Sequence, residues 1–523
     1  MDHTDPCPLG TSIVLGIPAR GSGALFQAED PGRGVPLEPV FCCADKELVD
    51  RACEAAAGAF ETYGSLDGRA RAGVLEGIAR ALEGVQGGLI ERAVQETGLG
   101  ADRLRTELDR TTATLRAFAS LVRDDAWTRP LIDRATPGAE PGSIPAHDLR
   151  SALLPLGPVA VFGASNFPLA YGVAGGDTAS ALAAGCPVIV KGHPSHPGTG
   201  EIAAHALAAG VRAAGIDPGV FSYLHSGGER EMDVGSQLVA HPSLSAVGFT
   251  GSFGGGMALA RAAAARPVPI PVFAEMGSAN PVFVLPGAAR DRAGAIGELL
   301  AASVLGSSGQ QCTCPGLVFV HAGSDVEAVL AERLEGAPSL VMLSRRVRDG
   351  YHARVRACLA IGGVMCTPTL AAWARSAPDM HGPVTAPAGM LTTSFGVFER
   401  ARTLREEVFG PSLLVVRCKD DAELVRATGL VLGGLTTTVH FDAPDEDLAR
   451  RVTRGAAAKA GRVIFNGVPT GVRVAPAMVH GGPYPATNRP DSTAVGLRAI
   501  ERWTRPVCFQ NAPAAVLPGA LRG

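Results

Sequence analysis

With 523 residues, the chain is longer than one compact core accommodates, and roughly two to four domains packed together are expected. A composition of 46% hydrophobic and 19% charged residues is that of a globular protein, and 47 Lys and Arg against 50 Asp and Glu, without a basic run, argue against a nucleic-acid partner. The least polar stretch, residues 157–190, is broken by Asn166, Pro168, Asp177 and glycines, and it reads as buried α/β segments instead of a membrane span.

The first residues include Asp2 and Asp5 where an export signal needs positive charge, and the eleven cysteines are an odd, scattered set. Reduced thiols and a cytoplasmic location are therefore expected. Residues 44–123 return apolar side chains every three or four positions, as in ELVDRACEAAAGAFETY and RAGVLEGIARALEGV, which predicts a helical block. Residues 129–150 are Pro-rich and lack that stripe, as suits an arm between two larger pieces. From Gly157 the pattern is strand, turn, helix, repeated: PVAVFG, LAYGVAGGDTASALAAG, PVIVK, TGEIAAHALAAGVRAAG, VFSYLH, then AVGFTG before GGGMALARAAAA. This predicts a parallel sheet with crossover helices. Such sheets bind ligands at the carboxyl ends of their strands, where GASNFP, KGHPSHPG and FTGSFGGG fall, so three loops converge on one crevice. PVFAEMG leads into a second α/β region over 276–475, and a tail follows.

The segment SSGQQCTCPG places Cys312 among residues that permit close backbone approach. A cysteine in a reduced chain is ordinarily a core thiol. Gly-Gln-x-Cys-Thr-x-Pro-Gly, however, resembles the nucleophile loop of the aldehyde dehydrogenase superfamily, and the resemblance extends through GASNFP, PVIVK, PVFAEMGSANP and EEVFGP over residues 30–511. It implies an aldehyde dehydrogenase-like α/β fold. A Rossmann-type parallel-sheet cofactor domain would comprise 1–128 and 151–275, and a second α/β catalytic domain 276–475. A small β oligomerisation arm and the tail would comprise 129–150 and 476–523.

The same resemblance assigns roles. Cys312 is the nucleophile that carries a thiohemiacetal and then a thioester. Attack on an aldehyde creates an oxyanion that preorganised donors must meet, and Asn166 matches the side-chain donor. Hydrolysis of the thioester needs a general base, and Glu275, a carboxylate ending an apolar strand, matches it. His480 in VHGGPYP matches a histidine implicated in catalysis in long-chain members. Lys191 ends a strand where an ammonium reaches ribose hydroxyls or a phosphate, and Gly251, Ser252 and Gly256 open a helix over which a pyrophosphate can lie. Glu407 and Phe409 match residues that hold the nicotinamide ribose and flank the ring. No metal is expected, because the Cys312–Cys314 pair lacks further ligands nearby in sequence.

ETGLG, HPSHPGT, EMGSANPVFVLP and HGGPYPATN are most similar to bacterial 2,5-dioxovalerate (α-ketoglutaric semialdehyde) dehydrogenases and NADP-dependent long-chain relatives, with Gln311 and Cys314 as departures. Gln311 is expected to face the aldehyde. NADP is expected to serve at least as well as NAD, since Pro194 stands where NAD-preferring members carry a Glu. Arg230 in SGGERE falls about where long-chain members bind the 2′-phosphate. The expected partners are a small aldehyde and further copies of the chain, as a homodimer or homotetramer. Two alternatives stay open: a coenzyme A-acylating enzyme, against which Glu275 argues, and a non-catalytic binding protein on the same fold.

Overall fold

The computed structural model describes residues 7–135, 147–228 and 231–522. Its first sheet is built from short, fully buried runs of Val, Ile and Phe: Val159–Phe162, Val188–Lys191, Phe221–Leu224 and Val272–Glu275, with Ala246–Thr250 buried over most of its length. Burial on both faces is what parallel strands covered by crossover helices require. From one edge to the other the strands are 272–275, 246–250, 159–162, 188–191, 221–224, 12–14 and 17–19. The chain moves outward one way from 159–162 to 221–224, then returns to place 246–250 on the other flank. The switch point between 159–162 and 246–250 is therefore where a crevice opens at the strand ends.

Helices Lys46–Tyr63, Gly68–Gly84, Gln86–Thr97 and Ala101–Val122 form the expected N-terminal block. Asp45 and Asp67 cap the first two by accepting from the N–H groups of Leu48 and Ala70. The strands Ser12–Val14 and Ile17–Ala19, antiparallel additions to the sheet edge, had no counterpart in the sequence reading. The helix expected over 169–185 covers only Gly176–Ala184. Buried Glu107 accepts from the N–H groups of Leu169 and Ala170 at 2.8 and 3.0 Å and holds the preceding residues in turns.

The second sheet orders strands 365–366, 389–394, 412–418, 317–321, 282–284, 434–440 and 460–465, all parallel except the first. A third, antiparallel sheet joins Leu131–Asp133, Leu149–Pro155 and Thr504–Gln510. The architecture is thus the expected one, two α/β sheets and a small β arm, although the middle of the arm, 136–146, lies outside the described residues. The tail stitches the two large sheets together. Thr487 bridges to Glu275, Pro485 bridges to Gly433, and the N–H of Met276 donates to the Ala486 carbonyl at 2.7 Å. Among the described residues, no helix is long and apolar enough to cross a membrane.

Candidate active site

The loop carrying Cys312 leaves helix Pro286–Leu305 through three consecutive left-handed residues, Ser307, Ser308 and Gly309. Gly309 is required there twice over: its φ is +66°, and a Cβ would stand 2.2 Å from the Gly410 carbonyl oxygen. The loop is then braced from two sides. The Asn280 amide donates to the carbonyls of Cys312 (2.7 Å) and Cys314 (2.9 Å), and the Asn166 amide donates to Gln310 O at 2.9 Å. One amide hydrogen of Asn166 is thereby committed to the loop, leaving the other to point elsewhere. The Gln311 side-chain amide lies beside Gly306.

Around the thiol, three side chains from distant parts of the chain meet. His480 Nε2 lies 3.6 Å from Cys312 Sγ and 2.9 Å from Glu275 Oε1. A carboxylate only accepts, so this nitrogen carries the hydrogen and donates to Glu275. Glu275 is 4% exposed and its Oε2 has no partner, which leaves a buried acceptor open beside the thiol. Burial pushes the Cys312 thiol well above its ordinary value, and the carboxylates of Glu275 and Glu407 push it further. The resting sulfur is thus protonated, and attack requires a base at hand. Thiol, imidazole and carboxylate atoms lie within 4.8 Å of one another, the one convergence among the described residues that could join a metal ion. Their contacts are those of hydrogen-bonded groups, and Cys314, the other thiol considered in the sequence, is buried in the apolar cluster that also holds Val282 and Val318.

Cys312 and Glu275 form the inner wall of a crevice of about 700 Å³ at the switch point of the first sheet. The Gly251 N–H donates to the Glu275 carbonyl at 3.0 Å, tying the loop that starts helix Phe253–Ala264 to the strand that carries the base. Ser252 caps this helix by accepting from Gly255 N–H, and both border the crevice. Gly256 is placed elsewhere. It is buried on the sheet side, where a Cβ would stand 2.8 Å from Met276 Sδ, so its small size serves helix–strand packing. Glu407 and Phe409 line the inner end. Burial raises Glu407 to about 7, despite the N–H it accepts from Ser278. A Cβ on Gly277 would lie 2.2 Å from its Oε2, so only glycine leaves that carboxylate room at the crevice floor.

Lys191 lines the same crevice, where burial lowers its ammonium and Glu231 opposes that shift. Glu231 Oε1 accepts from Lys191 Nζ at 3.2 Å and its Oε2 from Arg346 at 3.1 Å. The sequence pairs Glu231 with nothing beyond its neighbour Arg230, because Lys191 is forty positions away and Glu231 sits in a run of charges. Arg230 lies outside the described residues. The crevice fits a dinucleotide in size, in its helix N-terminus and in its cation, and Lys191, Ser252 and Glu407 are the residues that would hold one.

The sequence model described as the aldehyde dehydrogenase family matches residues 22–342. The chain belongs to the aldehyde dehydrogenase family. It is accordingly an NAD(P)-dependent enzyme that oxidises a small aldehyde, and a purely binding role is set aside. It is 46% identical to alpha-ketoglutaric semialdehyde dehydrogenase 2 of Azospirillum brasilense, across 98% of this chain and 96% of that one. It is 40% identical to alpha-ketoglutaric semialdehyde dehydrogenase of Acinetobacter baylyi, across 93% and 91%. Among solved structures, betaine aldehyde dehydrogenase of Staphylococcus aureus superposes with a TM-score of 0.80 at 20% identity, covering 97% of this chain and 96% of that one. At that identity the likeness speaks to the fold.

Proposed function

We propose that this chain oxidises α-ketoglutaric semialdehyde (2,5-dioxovalerate) to 2-oxoglutarate through a thioester on Cys312. The observation that carries the chemistry is the Glu275–His480–Cys312 cluster, whose thiol and carboxylate line the crevice. The substrate rests on the two relatives of that name. Glu275, held by His480, takes the thiol proton, and the sulfur adds to the aldehyde carbon. The oxygen that becomes anionic receives the second amide hydrogen of Asn166 and the backbone N–H of Cys312. A nicotinamide cofactor held in the crevice would supply the acceptor for the hydride that the substrate carbon must lose to become a thioester on Cys312. Once the thiol's proton has passed to solvent through the crevice, Glu275 Oε2 takes a proton from water attacking the thioester and returns it to the departing sulfur, which releases the acid and restores the thiol. An open buried carboxylate beside the sulfur favours water over coenzyme A as the acyl acceptor.

For the cofactor, NADP serving at least as well as NAD is supported by Lys191, by Ser252 and by Pro194 in place of an acid. Glu231 opposes it, since its charge sits on the cations a 2′-phosphate needs. Glu231→Gln should therefore lower the KM for NADP more than that for NAD. A cytoplasmic site of action is supported by eleven free cysteines. A homodimer or homotetramer is supported by the small antiparallel sheet with its outer strands at 131–133 and 504–510.

The test is reduced-cofactor absorbance with this semialdehyde, with and without coenzyme A, in the wild type, Cys312→Ala and Glu275→Gln. Coenzyme A-independent turnover is expected, abolished in Cys312→Ala and reduced to a burst followed by slow release in Glu275→Gln. Strict dependence on coenzyme A, or turnover surviving in Cys312→Ala, would overturn the mechanism.

A further inference from the structure

Lys191, Glu231 and Arg346 all line the crevice, and one carboxylate there is shared by two cations that come from different sheets. Lys191 ends a strand of the first sheet, and Glu231 begins helix Glu231–Ala240, whose Val234 and Leu238 share an apolar cluster with Ile189 and Leu224 of that sheet. Arg346 comes from the other side, on helix Arg345–Leu359, whose Tyr351 and Val355 share a cluster with Phe283 and Leu317 of the second sheet. The neighbouring arginine is already engaged: Arg345 donates to Glu29 at 2.8 Å and to the Gly382 carbonyl at 3.1 Å. Arg346 donates to Glu231 alone among the described residues, and its side chain is 81% exposed. The helix itself gives it no reason to be there. Arg345, Arg346 and Arg348 crowd a first turn that holds no acid, against the sense of the helix dipole.

Two cations thus meet across a single carboxylate, Lys191 on its Oε1 at 3.2 Å and Arg346 on its Oε2 at 3.1 Å. The carboxylate brings one charge and two oxygens to that gap, whereas a phosphate monoester brings about two charges and three acceptor oxygens, which matches both cations together. We propose that Lys191 and Arg346 release Glu231 and close on the 2′-phosphate of NADP in its place, so that Arg346 helps to set the choice of cofactor. The ammonium acts there as a point charge, and the guanidinium fork takes two phosphate oxygens. Glu231, at the start of its helix and 21% exposed, turns to solvent. With NAD it stays between the two cations. This rests on the reading of the crevice as the seat of a nicotinamide dinucleotide, and it adds to that seat a cation from the side of the second sheet.

The experiment measures Kd for NADP and for NAD by calorimetry on the full-length enzyme without aldehyde, so that binding is read apart from turnover and the ligands differ only in the phosphate. In Arg346→Met, NADP should bind about three- to tenfold more weakly, as loss of a charged but solvent-screened hydrogen bond predicts, while NAD changes by less than about twofold. Arg345→Met, whose partner is Glu29, should leave the ratio of the two constants as it is in the wild type. Glu231→Gln should tighten NADP by about the same three- to tenfold, and Arg346→Met added to it should still weaken NADP. Equal losses for both cofactors in Arg346→Met, no loss for either, or a loss that disappears in the Glu231→Gln background would overturn the proposal and leave the dinucleotide reading standing. A wild type that binds NAD but not NADP would do the same. A wild type that binds neither would overturn that reading and the proposal together.

Discussion

His480 donates its Nε2 hydrogen to Glu275 while touching the thiol, so it acts through the carboxylate as a positioning residue. Replacing it with Ala should lower kcat by about ten- to a hundredfold, the effect of releasing one oriented hydrogen bond to a charged base. His480→Gln, which keeps an N–H donor, should recover part of that loss. Equal activity in the two variants would show that the donor is immaterial. Glu407 offers a second test. Its value of about 7 lies above the ordinary 4.5, so the folded protein retains this proton up to neutrality. Two consequences follow from the sign: stability contributed by this group falls as pH rises between those values, and the ionised acceptor for ribose hydroxyls appears only above the higher one. The KM for the cofactor should therefore fall as pH rises through 7 in the wild type, and the trend should vanish in Glu407→Gln. A wild-type KM flat from pH 6 to 8 would remove Glu407 from that role.

At the scale of elements, the nucleophile loop depends on Asn280, a fully buried residue with φ of +44° that holds two loop carbonyls and accepts from Ser278 and Thr436. Asn280→Asp keeps the shape but turns a donor into an acceptor facing carbonyl oxygens. It should cost about 2 kcal/mol or more of stability and most of the turnover, checked by thermal unfolding and by absorbance. Unchanged melting and rate would show that the loop holds itself. The parallel strands of the first sheet were legible in the sequence because each is a short, mostly apolar run ended by a glycine or a polar residue, a signal contained within a few residues. Cys312, Glu275 and Asn166 stood out for a similar reason, each lying in a short motif at a strand or loop end. What escaped notice depends on distant partners. The strands at 12–14 and 17–19 are three residues long and acquire meaning only against 221–224. Glu231 matters only once Lys191 is folded beside it, and the turns at 169–175 exist because Glu107 reaches them from another helix. Gly256 is expected at the cofactor from the resemblance and the glycine-rich helix start, yet it faces Met276. Whether such a glycine faces ligand or sheet depends on how the helix is rotated, which the run does not encode.

At the scale of the molecule, the small sheet has, among the described residues, two edge strands, 131–133 and 504–510, and Leu131 at one of them is 66% exposed. Unpaired edges with apolar side chains invite pairing with another copy. Light scattering at micromolar concentration should give a dimer or a dimer of dimers, and a monomer would sink that expectation. The tail has a further role. It runs across both large sheets, bridging at Thr487 and Pro485, and on the way it delivers His480 to a thiol and a carboxylate encoded far upstream. Order of synthesis then becomes order of arming. While the last stretch is still inside the ribosome, Cys312 has already emerged but lacks the imidazole that steadies its base. Aldehydes met during translation therefore encounter a sulfur whose base is not yet held in place, and full reactivity comes only when the segment carrying His480 has docked.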